Sequence, residues 1–291
     1  MIIVLGASGG VGSEVVKALR DKGEAVLAVV HSHQRAEAIR AEGIEPVVVD
    51  LRNDRDLRKA FGRGKRAFLL NPPGDPRGDA EEAELETGRS IALALEDSGL
   101  KKVVLASTYG AQAGHAIGDL STLFELERRV LASGIPVAIN RGSYYFSNLD
   151  MLIEPARQGV LPTAFPEDFV LPMVAPRDLG RAAAERLTSG VEDVGLRNVE
   201  GPERYRFGQV AEVLGRWLGR EVKVQTTPRD GWEDSFRQVG FSPESAHSFA
   251  RMTEATVDGE FPEDVWRGEV GLEAYLAGLV GQQKAPPSEL R

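Results

Sequence analysis

The chain has 291 residues, 42% hydrophobic and 27% charged, with a formal net charge of -9 and a pI near 5.2. That length forms one large domain, or a sheet domain with a smaller companion, and buries a core without covalent staples. The absence of cysteine excludes disulfides, thiolate metal sites and cysteine nucleophiles, and the acidity argues against a general nucleic-acid surface.

In chain order, residues 2–5 form an apolar run of the kind a strand covered on both faces needs. A glycine-rich turn follows, then an amphipathic helix over 13–22 with Val15, Val16 and Leu19 on one face. Residues 25–30 read as a second strand, 34–42 as a helix and 46–49 as a third strand ending at Asp50. A helix over 53–61 leads to a strand over 67–70, stopped by Asn71-Pro72-Pro73, and a long helix follows over 80–97. Strand 103–106, helix 120–132 and strand 137–140 continue the alternation.

Such a pattern predicts an α/β fold, a Rossmann-type doubly wound parallel sheet with strand order 3-2-1-4-5-6. Residues 1–148 are the expected dinucleotide-binding domain. Beyond them the alternation loosens into a smaller C-terminal α/β substrate lobe over 149–281, some elements of which can share the first sheet. Within it, 177–188, 207–218 and 236–252 read as helices and 197–200 and 221–225 as short strands. Residues 282–291, polar and holding Pro286-Pro287, read as a disordered tail. No run approaches the roughly 20 apolar residues of a membrane span, and a strand starting at Met1 leaves no room for a signal core. The expected location is cytoplasmic, with no membrane and no nucleic-acid partner.

The turn itself, Gly6-Ala-Ser-Gly-Gly-Val-Gly12, carries the strongest chemical signal. Glycines so placed between strand and helix are a dinucleotide fingerprint: Gly6 for the sharp turn, Gly9 for approach of backbone to a diphosphate, Gly12 for close helix packing. Ser8, Gly10 and Val11 complete the set offered to the phosphates at the helix N-terminus. The second strand ends in His31-Ser32-His33-Gln34-Arg35 rather than in the carboxylate that usually holds both ribose hydroxyls. With His31 and Arg35 there, NADP is the expected cofactor and NAD the alternative. His31 and His33 lack a third ligand, so no metal is expected. Asp50 and Leu51, at the end of the third strand, are placed to meet the adenine. Asn71 and Pro72 at the switch point are placed beside the ribose, and Ser107 after the fifth strand lies toward the nicotinamide.

A tyrosine four residues before a lysine is the usual proton-donating pair of short-chain dehydrogenases. The chain has none: Tyr109, Tyr144, Tyr145, Tyr205 and Tyr275 are followed four residues on by Ala113, Asn148, Leu149, Gln209 and Leu279. Reduction of an isolated ketone leaves a strongly basic alkoxide. Reduction of a quinone leaves a phenolate whose conjugate acid has a pKa of about 10, so a weak donor suffices there. Tyr109 and Tyr145 are the candidate catalytic residues, and Tyr109, Tyr144, Tyr145, Phe146 and Asn148 the candidate substrate pocket, with Phe165 as a further aromatic wall. Side-chain alternation turns Tyr144 and Tyr145 opposite ways, and Tyr145 is the one expected in the pocket.

Several segments together resemble one family. They are the glycine turn, Phe68-Leu-Leu-Asn-Pro-Pro73, Leu126-Glu-Arg-Arg-Val-Leu-Ala-Ser-Gly-Ile135, Asn140-Arg-Gly-Ser-Tyr-Tyr-Phe-Ser-Asn148, Val174-Ala-Pro-Arg-Asp-Leu-Gly180 and Glu200-Gly-Pro202. The chain is similar to the NmrA-like family of atypical short-chain dehydrogenases over nearly its whole length. The resemblance implies the Rossmann fold and one of two activities. The first is an NAD(P)H-dependent oxidoreductase passing a hydride to a quinone-like or dye-like conjugated acceptor. The alternative is a non-catalytic NADP-binding redox sensor with a protein partner; a homodimer also remains open. Matched to such relatives, Asp119 stands where the tyrosine would be and Leu123 where a lysine or histidine often stands.

Overall fold

The computed structural model describes residues 1–284. The first half alternates β1 (Ile2–Val4), α1 (Gly10–Asp21), β2 (Val26–Val30), α2 (His33–Ala41), β3 (Glu45–Val48), α3 (Asp54–Phe61), β4 (Arg66–Leu69), α4 (Ala80–Leu95), β5 (Lys102–Thr108), α5 (Asp119–Leu131) and β6 (Val137–Gly142). After it come β7 (Tyr144–Tyr145), a 3-10 turn over Phe146–Leu152, α6 (Ile153–Arg157), β8 (Val160–Thr163), β9 (Leu171–Val174) and α7 (Pro176–Thr188). The chain continues through β10 (Gly195–Glu200), β11 (Arg204–Tyr205), α8 (Phe207–Leu218), β12 (Lys223–Thr226), a 3-10 turn over Arg229–Gly231, α9 (Trp232–Gln238), α10 (Pro243–Asp258), β13 (Trp266–Arg267) and α11 (Leu272–Lys284).

Eight strands form one sheet in the order β13-β10-β6-β5-β4-β1-β2-β3, every pair parallel. The expected order 3-2-1-4-5-6 is its larger part, and the chain's reversal between β1 and β4 opens the crevice of a doubly wound sheet. β10 and β13, from the second half, extend the same sheet. A boundary at 148 therefore divides the chain but not the sheet.

Apolar residues on both faces of the strands feed two cores. Val4, Val15, Leu19, Ala28 and Leu187 pack on the side of α1 and α7, and Leu5, Leu57, Phe61, Ile91, Leu105 and Val130 on the side of α3, α4 and α5. Gly180 lets α7 cross α1 in backbone contact, for a Cβ there would lie 2.6 Å from the carbonyl carbon of Glu14. A third core, around Phe146, Leu161, Met173, Phe207, Leu214 and Leu276, holds the smaller lobe with its β11-β9-β7 sheet and β12-β8 pair.

The helix expected over 236–252 is two, α9 and α10, because Gly240 turns the chain with φ +98° and Ser242 caps α10 ahead of Pro243. The tail expected over 282–291 starts inside α11, whose backbone runs to Lys284; 285–291 lie outside the described residues. Among the described residues no helix is long and apolar enough to cross a membrane.

Candidate functional site

At the carboxyl end of β1, Gly6 takes φ +63°, and a Cβ on Gly12 would overlap the Gly6 carbonyl oxygen. Both positions therefore admit only glycine without rebuilding the turn. Gly9 N–H donates to Gly6 O (2.9 Å), and Ser13 N–H makes the first helical bond, to Gly9 O (2.9 Å). The N–H groups of Gly10, Val11 and Gly12 precede that bond. No side chain caps them and no acidic residue occupies the first turn. The positive end of α1 thus presents free donors to an anion. Val11 contributes backbone only, its side chain being buried in the core.

A groove of about 600 Å³ runs between α1 and α2, lined by Ser8, Ser13, Lys17 and Arg35 among others. Ser32 caps α2 by accepting from Arg35 N–H (3.4 Å), which fixes the Arg35 backbone and leaves its exposed guanidinium without an ion pair among the described residues. His31 is exposed beside it. Asp50 is exposed and spends one oxygen on Arg52 N–H (3.0 Å), while Leu51 is half-buried against the core.

Across the crevice, Asn71 donates to the Glu84 carbonyl (3.0 Å), while its own Oδ1 is buried without a partner. A buried unpaired acceptor is costly, and a hydroxyl entering the crevice would relieve it. Pro72 beside it is exposed. Glu84 anchors the same loop a second time, accepting from Gly74 N–H (2.8 Å) with one oxygen and from the Thr122 hydroxyl (2.7 Å) with the other. It is 5% exposed, and the Asp119 charge acts on it. Burial, with the Asp119 charge second, pushes the Glu84 carboxyl up to about 7. Burial likewise raises Asp119. Its place at the N-terminus of α5 would favour the ionised form, but desolvation wins.

Neither carboxyl was among the expected site residues. The signal for Glu84 lay in helical spacing: it occupies the buried stripe of α4 that also holds Ala80, Ile91 and Leu95. A lone acid on an apolar stripe has a reason to be there. Glu127 is a second such acid, 4% exposed on α5, where it takes the Ser107 hydroxyl (2.5 Å) and a bidentate Arg141 guanidinium (2.9 and 2.7 Å). The Ser107 hydroxyl is therefore committed to Glu127.

Tyr109 sits just beyond β5 with its hydroxyl donating to Glu200 (3.2 Å). Glu200 is wholly buried and also receives Arg204 (2.7 Å) and Arg267 (3.1 Å). Burial and the neighbouring Glu200 charge push the Tyr109 phenol far above the usual tyrosine range. Its surroundings oppose a role as an acid: the proton is held against a carboxylate, and the ring lies 6.5 Å from that of Phe261.

Tyr144 and Tyr145 do point opposite ways. Tyr144 meets Phe165 edge-on (5.7 Å between centroids) and Phe207 (6.3 Å), with Asn148 at its hydroxyl. Tyr145 turns to the α1 and α7 side of the sheet, against Gly142 and Leu179, and its phenol feels the Asp119 charge; burial is the larger cause of its rise to about 12. Phe146 is a correction: it is 0% exposed, packed on Tyr205 and Tyr275 (5.8 and 5.3 Å), and belongs to the core of the smaller lobe. Sequence reading missed Phe169 and Phe261, which continue the aromatic wall from Phe165 (5.8 Å) through Phe169 and Phe261 (5.9 Å) to Tyr109 (6.5 Å). Tyr109 follows the carboxyl end of β5, and Tyr144 and Tyr145 that of β6, the same end of the parallel sheet at which β1 leads into the glycine turn.

A model of the NmrA-like family matches residues 1–274. An NAD(P)H azoreductase of Xenophilus azovorans is 24% identical over 252 residues, covering 84% of this chain and 83% of that protein. A (4-alkanoyl-5-oxo-2,5-dihydrofuran-3-yl)methyl phosphate reductase of Streptomyces griseus is 26% identical over 257 residues, 87% of this chain and 86% of that one. Among solved structures, an NADPH-dependent quinone oxidoreductase of Escherichia coli superposes with TM-score 0.78 at 21% identity, covering 96% of this chain and 99% of its own. The triphenylmethane reductase of Citrobacter sp., complexed with NADP(H), gives 0.79 at 19% identity, covering 97% and 99%.

Proposed function

The chain belongs to the NmrA-like family, and on that premise we propose that it is an NADPH-dependent reductase of flat, conjugated acceptors of the quinone or dye type. The juxtaposition that carries the reading is a donor-rich glycine turn facing an aromatic wall at the same end of one parallel sheet. The similarity to an NAD(P)H azoreductase supports the same class.

The residues fit the cofactor. N–H groups of Gly10, Val11 and Gly12, with Ser8, would hold a diphosphate. Arg35, unpaired among the described residues, with His31 beside it meets a 2′-phosphate as a charge-assisted partner. Asp50 and Leu51 border the adenine, and Asn71 Oδ1 accepts from a ribose hydroxyl. When bound, the reduced cofactor supplies a hydride. The chain's own part is to seat the acceptor flat between Tyr145 on one side and the Tyr109, Phe261, Phe169 and Phe165 rings on the other, and to exclude water while it is held. Positioning of this kind is worth several kcal/mol of barrier.

The test is turnover of purified protein with NADPH and with NADH against quinones, azo dyes and triphenylmethane dyes. Acceptor-dependent NADPH oxidation supports the reading. Tight NADPH binding with no acceptor reduced overturns it and leaves the redox-sensor alternative.

A further inference from the structure

We propose that the guanidinium groups of Arg204 and Arg267 form an anion subsite at the Phe261 end of the aromatic wall, so that the preferred acceptors carry a sulfonate, carboxylate or phosphate group on their conjugated frame. The inference rests on the reductase reading above and names the substrate class within it.

The subsite is built on one buried acid. Glu200 closes β10 and stands in register with Arg267 of β13, so both lie at the carboxyl end of the main sheet, where Tyr109 follows β5. The Glu200 side chain is wholly buried and accepts four hydrogen bonds. Its Oε1 takes the Tyr109 hydroxyl (3.2 Å) and Arg204 Nη2 (2.7 Å), and its Oε2 takes Arg204 Nε (3.1 Å) and Arg267 Nη1 (3.1 Å). The two parallel bonds from Arg204 fix the plane of that guanidinium.

Arg204 is tied to the wall as well. Its Nη2 also donates to the Pro262 carbonyl (2.6 Å), in the segment that leads into β13. Its Cζ lies 5.9 Å from the centre of the Phe261 ring, close enough for the ring face to attract the cation. Phe261 in turn neighbours Tyr109 (6.5 Å) and Phe169 (5.9 Å). An acceptor lying flat on these rings therefore meets a fixed positive charge at the Phe261 end.

Charge shows what that end is fit to receive. Two guanidiniums share the single Glu200 carboxylate, which leaves one positive charge uncompensated. Glu263 also acts on Arg204, but it is exposed and makes no ion pair among the described residues, so water and salt screen it. Arg204 alone bonds the segment before β13. Arg267 bonds only Glu200 and the Gly201 carbonyl (3.3 Å), so it adds charge without adding a tie to that segment. Nη1 of Arg204 and both Nε and Nη2 of Arg267 make no hydrogen bond among the described residues, and the two side chains are 27% and 45% exposed. Open guanidinium donors held in a fixed plane match an oxyanion, and the same charge disfavours a cationic acceptor.

Binding of a redox-inert pair tests the subsite in protein saturated with NADP, which keeps the glycine turn and Arg35 occupied. Calorimetric titration compares naphthalene-2-sulfonate with its neutral isostere naphthalene-2-sulfonamide. The sulfonate should bind about 10-fold more tightly, the worth of a charge-assisted contact at a partly exposed site, and added salt should weaken it alone. Arg267→Gln should remove most of that ratio, and Arg267→Lys, which keeps the charge, should retain most of it. Equal affinities in the wild type, or a ratio unchanged in Arg267→Gln, overturns the proposal. Turnover with NADPH gives the second readout: the kcat/KM ratio of a sulfonated naphthoquinone to the parent quinone should fall about 10-fold in Arg267→Gln. The change in the ratio is what counts, because the sulfonate also alters the quinone's own reactivity, and a ratio that does not change overturns the subsite. If no acceptor is reduced by the wild type, the reductase reading fails, and the titration still decides whether the anion subsite exists.

Discussion

Replacing Glu84 by glutamine should make stability depend less on pH, and the size of the effect follows from where the carboxyl sits. A carboxyl held at about 7 instead of 4.5 carries about 3 kcal/mol of linked free energy, at about 1.36 kcal/mol per pH unit. Its sign is that of a raised acid. The folded protein keeps a proton that the unfolded chain releases, so the stabilisation is complete below about pH 4.5 and is lost as pH rises through about 7. At pH 8 the wild type holds an ionised Glu84 beside Asp119 at a buried position. The glutamine of the variant keeps an acceptor for Gly74 N–H and carries no charge. The variant should therefore gain up to about 3 kcal/mol over wild type at pH 8 and little at pH 5. Urea unfolding at the two pH values, with the same m-value for both proteins, measures it. An effect equal at pH 5 and pH 8 would refute a raised carboxyl at position 84.

Three further outcomes follow from the same structure. Arg35→Ala should weaken NADPH about 10- to 100-fold, the worth of one charge-assisted contact, and leave NADH unchanged; calorimetric titration with both cofactors decides, and equal losses contradict the 2′-phosphate assignment. Gly12→Ala forces a Cβ into the Gly6 carbonyl, so it should abolish dinucleotide binding and lower the melting temperature, both read in one thermal-shift series with and without NADPH. Tyr109→Phe removes a hydrogen bond to buried Glu200 and should cost about 1.5–3 kcal/mol of stability without moving the pH profile of turnover; a moved profile would restore Tyr109 as an acid.

The parallel sheet was legible because strands covered on both faces must be apolar throughout, and residues 2–5, 26–30 and 103–106 are. β8 and β9 were not, since Pro162 and Pro172 interrupt them; in β8 the proline is tolerated because that strand pairs on one side only. The addition of β10 and β13 to the main sheet depends on packing between distant segments that no local pattern encodes. In the site, the glycine turn was readable because backbone geometry dictates the residue type. Phe146 was misplaced because an aromatic side chain suits a core and a pocket equally, and only the rings of Tyr205 and Tyr275 decide between them. The Ser107 and Tyr109 hydroxyls were offered to ligands because their buried partners, Glu127 and Glu200, lie 20 and 91 residues away in the chain.

The most direct test of the account is single turnover of the NADPH-loaded protein mixed with one azo dye and one quinone. Oxidation of the bound cofactor in step with reduction of either acceptor, abolished by Gly12→Ala, is the predicted result. Cofactor that stays bound and reduced in the presence of both acceptors would contradict it.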